Sequence, residues 1–149
     1  MQLVQFSTTP GLKGKSMDRP VILVIDDQAA ILDILSCALT LHGYQPVCAS
    51  NGQEALAWIQ KASQTGQYPA AILLDVLMPV MNGARFLSTL RACWDAPVPI
   101  PPIILLTADK SDYNHLGCEN VLIKPFHIRD LCEKLELMIH AHSLPVEER

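Results

Sequence analysis

The sequence predicts an α/β fold, a doubly wound five-stranded parallel sheet with helices on both faces. Three observations carry this expectation. Short apolar runs alternate with segments of helical periodicity, the βα repeat that builds such sheets. The runs are continuously apolar instead of alternating with polar residues, as expected of strands buried on both faces. Most of them also end in Asp, Thr or Lys, and in open α/β sheets ligands bind beyond the carboxyl ends of the strands.

Residues 1–19 are polar, contain Gly and Pro, and read as a flexible N-terminal extension. The first strand is VILVI at 21–25, followed by Asp26-Asp27. Apolar residues from Ile31 to Leu41 recur at helical spacing over 28–42, and Gly43 sits where a left-handed cap is easiest. A second strand spans 45–49; Pro46, which cannot donate to a ladder, places it at a sheet edge. Asn51 and Glu54 have capping-box spacing and open a helix with Ala55, Leu56, Ile59 and Ala62 on its apolar side. A polar loop covers 64–69.

The third strand, 70–74, ends in Asp75. A turn containing Met78, Pro79 and Gly83 leads into a helix over about 84–92. Four prolines (Pro97, Pro99, Pro101 and Pro102) exclude a helix interior or central strand between Trp94 and Pro102. Strand four is 103–106 before Thr107, and strand five is 121–123 before Lys124-Pro125. The last helix runs over about 126–142 and stops before Pro145. The expected organisation is one domain at 20–143 with a C-terminal tail at 144–149.

Composition narrows the function classes. Half of the 149 residues are hydrophobic and 17% are charged, which suits a globular core. A net charge of −4 gives no electrostatic footprint for nucleic acid or an anionic membrane. No apolar run approaches a membrane span, and the N-terminus lacks a secretory pattern, so the reading is cytoplasmic. The five cysteines, Cys37, Cys48, Cys93, Cys118 and Cys132, include no C-x-x-C pair and read as reduced, mostly buried thiols.

Asp26, Asp27 and Asp75 fall at neighbouring strand ends, where three carboxylates repel one another unless a cation lies among them. Oxygen-only ligands suit Mg²⁺, which keeps waters for phosphate oxygens to replace. Thr107 and Lys124 add a hydrogen-bond donor and a positive clamp. That set can stabilise a phosphoryl group transferring onto a carboxylate.

The motifs behind these residues resemble those of the response-regulator receiver domain. The segment Asp75-Val76-Leu77-Met78-Pro79-Val80-Met81-Asn82-Gly83 is similar to the signature around the family's phospho-acceptor. VILVIDD resembles its acidic pair, LLTA its fourth strand, and LIKPF its active-site lysine and proline. The resemblance covers about 20–143 and implies a flavodoxin-like strand order, 2-1-3-4-5. It implies Asp75 as nucleophile, with Asp27 and Asp75 ligating Mg²⁺ directly. Asp26 would act mainly through a metal-bound water, and the Leu77 backbone carbonyl would complete the protein ligands. Thr107 would bond a phosphoryl oxygen, Lys124 would pair with the same group, and the Lys124–Pro125 peptide would be cis.

The implied partners are a sensor histidine kinase or a histidine phosphotransfer protein as donor, then a downstream protein. The domain would be a stand-alone monomer or weak homodimer, without membrane or nucleic-acid contacts. It would be no enzyme beyond its own phosphorylation and dephosphorylation.

Three departures concern output and lifetime. Val121 stands three before Lys124, where the family usually has Tyr or Phe; valine is short and stiff at χ1. Thr107 and Lys124 are only 17 positions apart (124 − 107), so the fourth helix is expected to be a stub near residues 112–116 or missing. Tyr113 in that stretch is a weak substitute for the aromatic. Leu77, two after the acceptor, is apolar where family members often carry a polar residue.

Other features carry less. Gly11 to Ser16 approaches a phosphate-binding loop, but Thr9 stands where its first glycine would be. His140 and His142 are two apart, share no helix face, and suit a helix C-terminus better than a metal. Trp58 and Trp94 fit either core or interface. The competing functional class is an interaction module with the same fold and an unused phosphate site. An aspartyl-phosphate hydrolase of the D-x-D type ranks last, because neither Asp26-Asp27-Gln28 nor Asp75-Val76-Leu77 has that spacing.

Overall fold

In the computed structural model, residues 19–78, 80–108, 117 and 120–143 are described. Residues 1–18 of the leader, the 144–149 tail, Cys118 and the expected fourth-helix stub with Tyr113 lie outside them. Five strands, β1 (Val21–Ile25), β2 (Gln45–Ala49), β3 (Ala71–Asp75), β4 (Ile103–Thr107) and β5 (Asn120–Ile123), form one parallel sheet in the order β2-β1-β3-β4-β5. Helices α1 (Ala29–Leu41), α2 (Gly52–Ser63), α3 (Gly83–Cys93) and α4 (Ile128–Ser143) complete the described elements. Predicted and observed boundaries differ by one or two residues, the usual fraying at element ends.

The pleat decides which side chain meets which helix. Leu23, Ile25, Ile72, Leu74 and Leu105 face one way and pack with Ala55 and Ile59 of α2 and Phe86, Leu87 and Leu90 of α3. Ile22, Val24, Leu73, Ile104 and Leu106 face the other way, against Leu35 and Leu39 of α1 and Leu131 and Leu135 of α4. Every residue of β1 and β3 is buried, which is why their sequences read as unbroken apolar runs. Each such Leu, Ile or Phe contributes roughly 1.5–3 kcal/mol by leaving water.

Helix starts follow the sequence signals. The Asn51 side chain accepts the Glu54 N–H at 2.9 Å, and Glu54 returns to accept the Ser50 N–H at 2.9 Å and the Ser50 hydroxyl at 2.8 Å. Asn82 caps α3 in the same way, accepting the Arg85 N–H at 2.9 Å. Pro46 does lie on an edge strand. The proline-rich 94–102 stretch is irregular, and Trp94 is half-buried there. Its indole N–H donates to the Val98 carbonyl at 2.8 Å, and its ring meets Tyr68 at 5.7 Å. Trp58 also packs at the margin of the α2–α3 core.

The cysteine expectation needs correcting. Of the four described cysteines only Cys132 is buried; Cys37, Cys48 and Cys93 are exposed, though all four are free thiols. Cys37 lies on the outer face of α1, Cys48 on the edge strand and Cys93 at the end of α3. No described helix is long and apolar enough to cross a membrane.

Candidate functional site

The carboxyl ends of β1, β3, β4 and β5 converge on one polar cluster. Asp26 follows β1 and is fully buried; the Gln28 N–H holds its Oδ1 at 2.9 Å. Asp27 is exposed. Asp75 closes β3 with only 6% of its surface accessible. One carboxylate oxygen from each of the three lies within 4.8 Å of the others. Lys124, just past β5, reaches in with Nζ 3.3 Å from Asp26 Oδ2 and 3.5 Å from Asp75 Oδ1. Its own N–H donates to the Thr107 carbonyl at 2.7 Å, locking the end of β5 to the end of β4, and Thr107 is buried beside it. The Lys124–Pro125 peptide is cis.

Charge does not balance at this cluster. Three carboxylates against one ammonium leave a local charge of −2 (−3 + 1). Burial, then the Asp26 charge, pushes the Asp75 carboxyl up from 3.8 to about 6, with Asp27 adding to the rise; Lys124 pulls the other way without offsetting it. A divalent cation among the oxygens would supply the missing charge, so the donor set fits Mg²⁺. The expected site residues Asp26, Asp27, Asp75, Thr107 and Lys124 are all brought to this one end of the sheet.

The loop between β3 and α3 carries Leu77, whose side chain is 62% exposed. The loop is pinned at its base, where the Gly83 N–H donates to the Val76 carbonyl at 2.8 Å. A Cβ on Gly83 would sit 2.9 Å from Val76 Cα, so only glycine permits that approach. The Gly52 N–H of α2 donates to the Met81 carbonyl at 3.3 Å. Val80 has φ +67°, a left-handed conformation that a β-branched residue adopts only under strain. Sequence reasoning missed the Gly52–Met81 contact and the Val80 conformation, because neither leaves a mark in residue spacing. Since Val80 is exposed, Val80→Asn is expected to stabilise the protein by about 1 kcal/mol, asparagine tolerating this conformation better. A denaturation midpoint unchanged or lowered in the variant would show that the loop carries no such strain.

A groove of about 480 Å³ between α2 and α3, walled by Leu56, Ile59, Tyr68, Leu90 and Trp94, shares no residue with the acidic cluster. The polar chemistry is therefore at the sheet end and not in that groove.

Comparison with known proteins agrees with this geometry. A family profile described as "Response regulator receiver domain" matches residues 22–136. The chain is 38% identical over 115 residues to "Probable transcriptional regulator ycf27" of Porphyra purpurea, covering 74% of this chain and 43% of that protein. It is 32% identical over 129 residues to the "Transcriptional regulatory protein CpxR homolog" of Haemophilus influenzae, covering 83% of this chain and 52% of that one. The chain thus spans about half the length of these curated relatives. Among solved structures, the chemotaxis response regulator CheY4 of Vibrio cholerae superposes with a TM-score of 0.67 at 28% identity, over 81% of this chain and 99% of that one. A signal receiver domain of a histidine kinase from Syntrophus aciditrophicus gives a TM-score of 0.71 at 26% identity, over 85% and 95% of the two chains.

Proposed function

Because the chain belongs to the response-regulator receiver family, we propose that it accepts a phosphoryl group from a phosphohistidine donor onto Asp75 in a Mg²⁺-dependent step and signals by protein–protein contact. The convergence of Asp26, Asp27, Asp75 and Lys124 at one sheet end carries this reading. An Asp75 carboxylate oxygen attacks phosphorus; the P–N bond to the donor's imidazole breaks, an acyl phosphate forms, and the imidazole takes up a proton. Lys124, already 3.5 Å from Asp75, moves with the growing phosphoryl charge and holds an oxygen of the transferred group. Thr107 at the end of β4 is the hydroxyl donor for a second oxygen. Asp27, Asp75 and the Leu77 carbonyl would hold Mg²⁺, and Asp26 would contribute its charge from behind them. When bound, Mg²⁺ offsets the charge that would otherwise keep a phosphate dianion away from three carboxylates.

The donor is a sensor histidine kinase or a histidine phosphotransfer protein. The test is intact mass after incubation with acetyl phosphate and Mg²⁺: a single phosphate-sized addition is expected, and no addition in any condition would favour the competing reading of a phosphorylation-independent interaction module.

The lifetime of the phosphate follows from Leu77. Its exposed apolar side chain cannot orient an attacking water, so self-dephosphorylation is expected to be slow. Leu77→Asn should speed decay several-fold, within the range a single positioned polar group contributes. A decay rate unchanged or reduced by Leu77→Asn would mean that water access is controlled elsewhere.

The switch should be local. Val121 on β5 is half-buried against the α2–α3 core and pairs with Leu105, so it has little room or length to move. A phosphate adds about −1.5 to −2 charge. Beryllofluoride with Mg²⁺ should change amide exchange at the ends of β3 and β4 and leave the outer side of α4 alone. Large changes along α4 would show that coupling survives without an aromatic residue at 121.

A further inference from the structure

We propose that Gly52 and Met81 form a positioning contact that docks the metal-binding loop onto α2 and so holds the Leu77 carbonyl in place. This rests on the reading of Asp27, Asp75 and Leu77 as Mg²⁺ ligands. The first N–H groups of any helix lack partners within it. In α2, the Asn51 side chain takes the Glu54 N–H, whereas the Gly52 N–H is taken by the Met81 carbonyl from the loop after β3. The loop is thus part of the cap of α2.

Gly52 is buried, and no left-handed conformation explains the choice of glycine there, as it does at Gly43 and Gly66. What explains it is proximity. A Cβ at position 52 would lie 3.0 Å from Met81 Cγ, 3.1 Å from Met81 O and 3.1 Å from Met81 Sδ. Alanine is otherwise the better residue in a first helical turn. Glycine at 52 therefore gives up helix propensity to let Met81 settle over the backbone. Met81 also packs against the α2–α3 core, so the contact has an apolar as well as a hydrogen-bonded half.

The loop is held at two places: its base, Val76 to Gly83, and its flank, Met81 to Gly52. Leu77 lies between the base and the flank. Val80, with φ +67°, immediately precedes Met81 in this loop. A side chain at 52 would push on Met81, and through the loop on Leu77, without touching any carboxylate of the cluster. Met81 and Gly52 are positioning residues, not ligands.

The test is a Mg²⁺ titration of the ¹⁵N-labelled full chain, followed by amide NMR shifts, for wild type, Gly52→Ala, Gly52→Val and the pair Gly52→Ala with Met81→Ala. The dissociation constant is expected to rise about fourfold for Gly52→Ala and roughly tenfold for Gly52→Val, the lower end of what residues supporting metal ligands cost. Removing the Met81 side chain should recover part of the affinity lost in Gly52→Ala, since two of the three crowding atoms, Cγ and Sδ, are gone and only the backbone oxygen remains. Amides near Leu77 should shift and exchange faster in the single variants even without metal, while helical signals of α2 persist. Wild-type affinity in Gly52→Val with α2 intact would overturn the contact's role. So would a loss in Gly52→Ala that Met81→Ala fails to relieve, which would point to damage within α2. If wild type shows no Mg²⁺ binding that depends on Asp75, the ligand assignment itself is wrong and the proposal falls with it.

Discussion

Asp75→Ala is expected to abolish phosphoryl labelling completely, and EDTA to do the same to the intact protein. The two losses have different causes. Asp75→Ala takes away the proposed phosphoryl acceptor, and loss of a nucleophile can cost on the order of a millionfold in rate. EDTA leaves the nucleophile in place but leaves the cluster at a net −2, too negative for a phosphate dianion to approach. Lys124→Ala should reduce the labelling rate by roughly a hundredfold to a thousandfold, as expected when one donor to developing charge is lost. Intact mass after acetyl phosphate treatment reads all three. Normal labelling of Asp75→Ala would remove the acceptor assignment, and full labelling in EDTA would remove the metal.

In metal-free buffer at pH 7.5, Asp75→Asn is expected to be more stable than wild type. The Asp75 carboxyl titrates near 6 in the folded chain against an ordinary value of 3.8, mainly because burial disfavours its charge. Between those values the folded state holds the proton that the unfolded state has released. Stability contributed by this group therefore falls as pH rises through about 4 to 6 and stays low above it. The shift corresponds to roughly 3 kcal/mol as an upper bound, and loss of the Lys124 contact reduces the expected gain to about 1–2 kcal/mol. Urea denaturation of both proteins at pH 7.5 and pH 4.5 in EDTA isolates the effect. The difference should shrink at the lower pH, where wild type is itself protonated, and Mg²⁺ at pH 7.5 should raise wild type alone. Wild type more stable than Asp75→Asn at pH 7.5 without metal would contradict a carboxylate under electrostatic strain.

Much of this molecule is legible from residue order, for identifiable reasons. The strands β1, β3 and β4 are buried on both faces, so their apolar runs are unbroken and their ends abrupt; the residue after each run, Asp26, Asp75 or Thr107, is then one of those gathered at the sheet end. Asn51 with Glu54 and Pro46 each state one local fact that the fold obeys. What could not be read depends on proximity between distant segments. The glycine at 52 looks like any capping residue until Met81 is placed over it, and its spacing from the loop carries no signal. The exposed cysteines escape sequence reading for a related reason: Cys48 between Val47 and Ala49 has apolar neighbours yet is exposed, while Cys132 beside Glu133 is buried, so only placement in the fold tells them apart.

Pro46 has a consequence for how crowded copies of this chain behave. A parallel sheet of five strands has two open borders, and each offers a row of unpaired amides on which another chain could grow a strand. At the β2 border the proline breaks that row, and Gln45 and Cys48 present exposed polar and thiol surface there instead of an apolar ribbon. The opposite border, β5, is only four residues long. Among the described residues neither margin is a good template for intermolecular strand pairing, so these two strands should resist seeding fibrillar self-association.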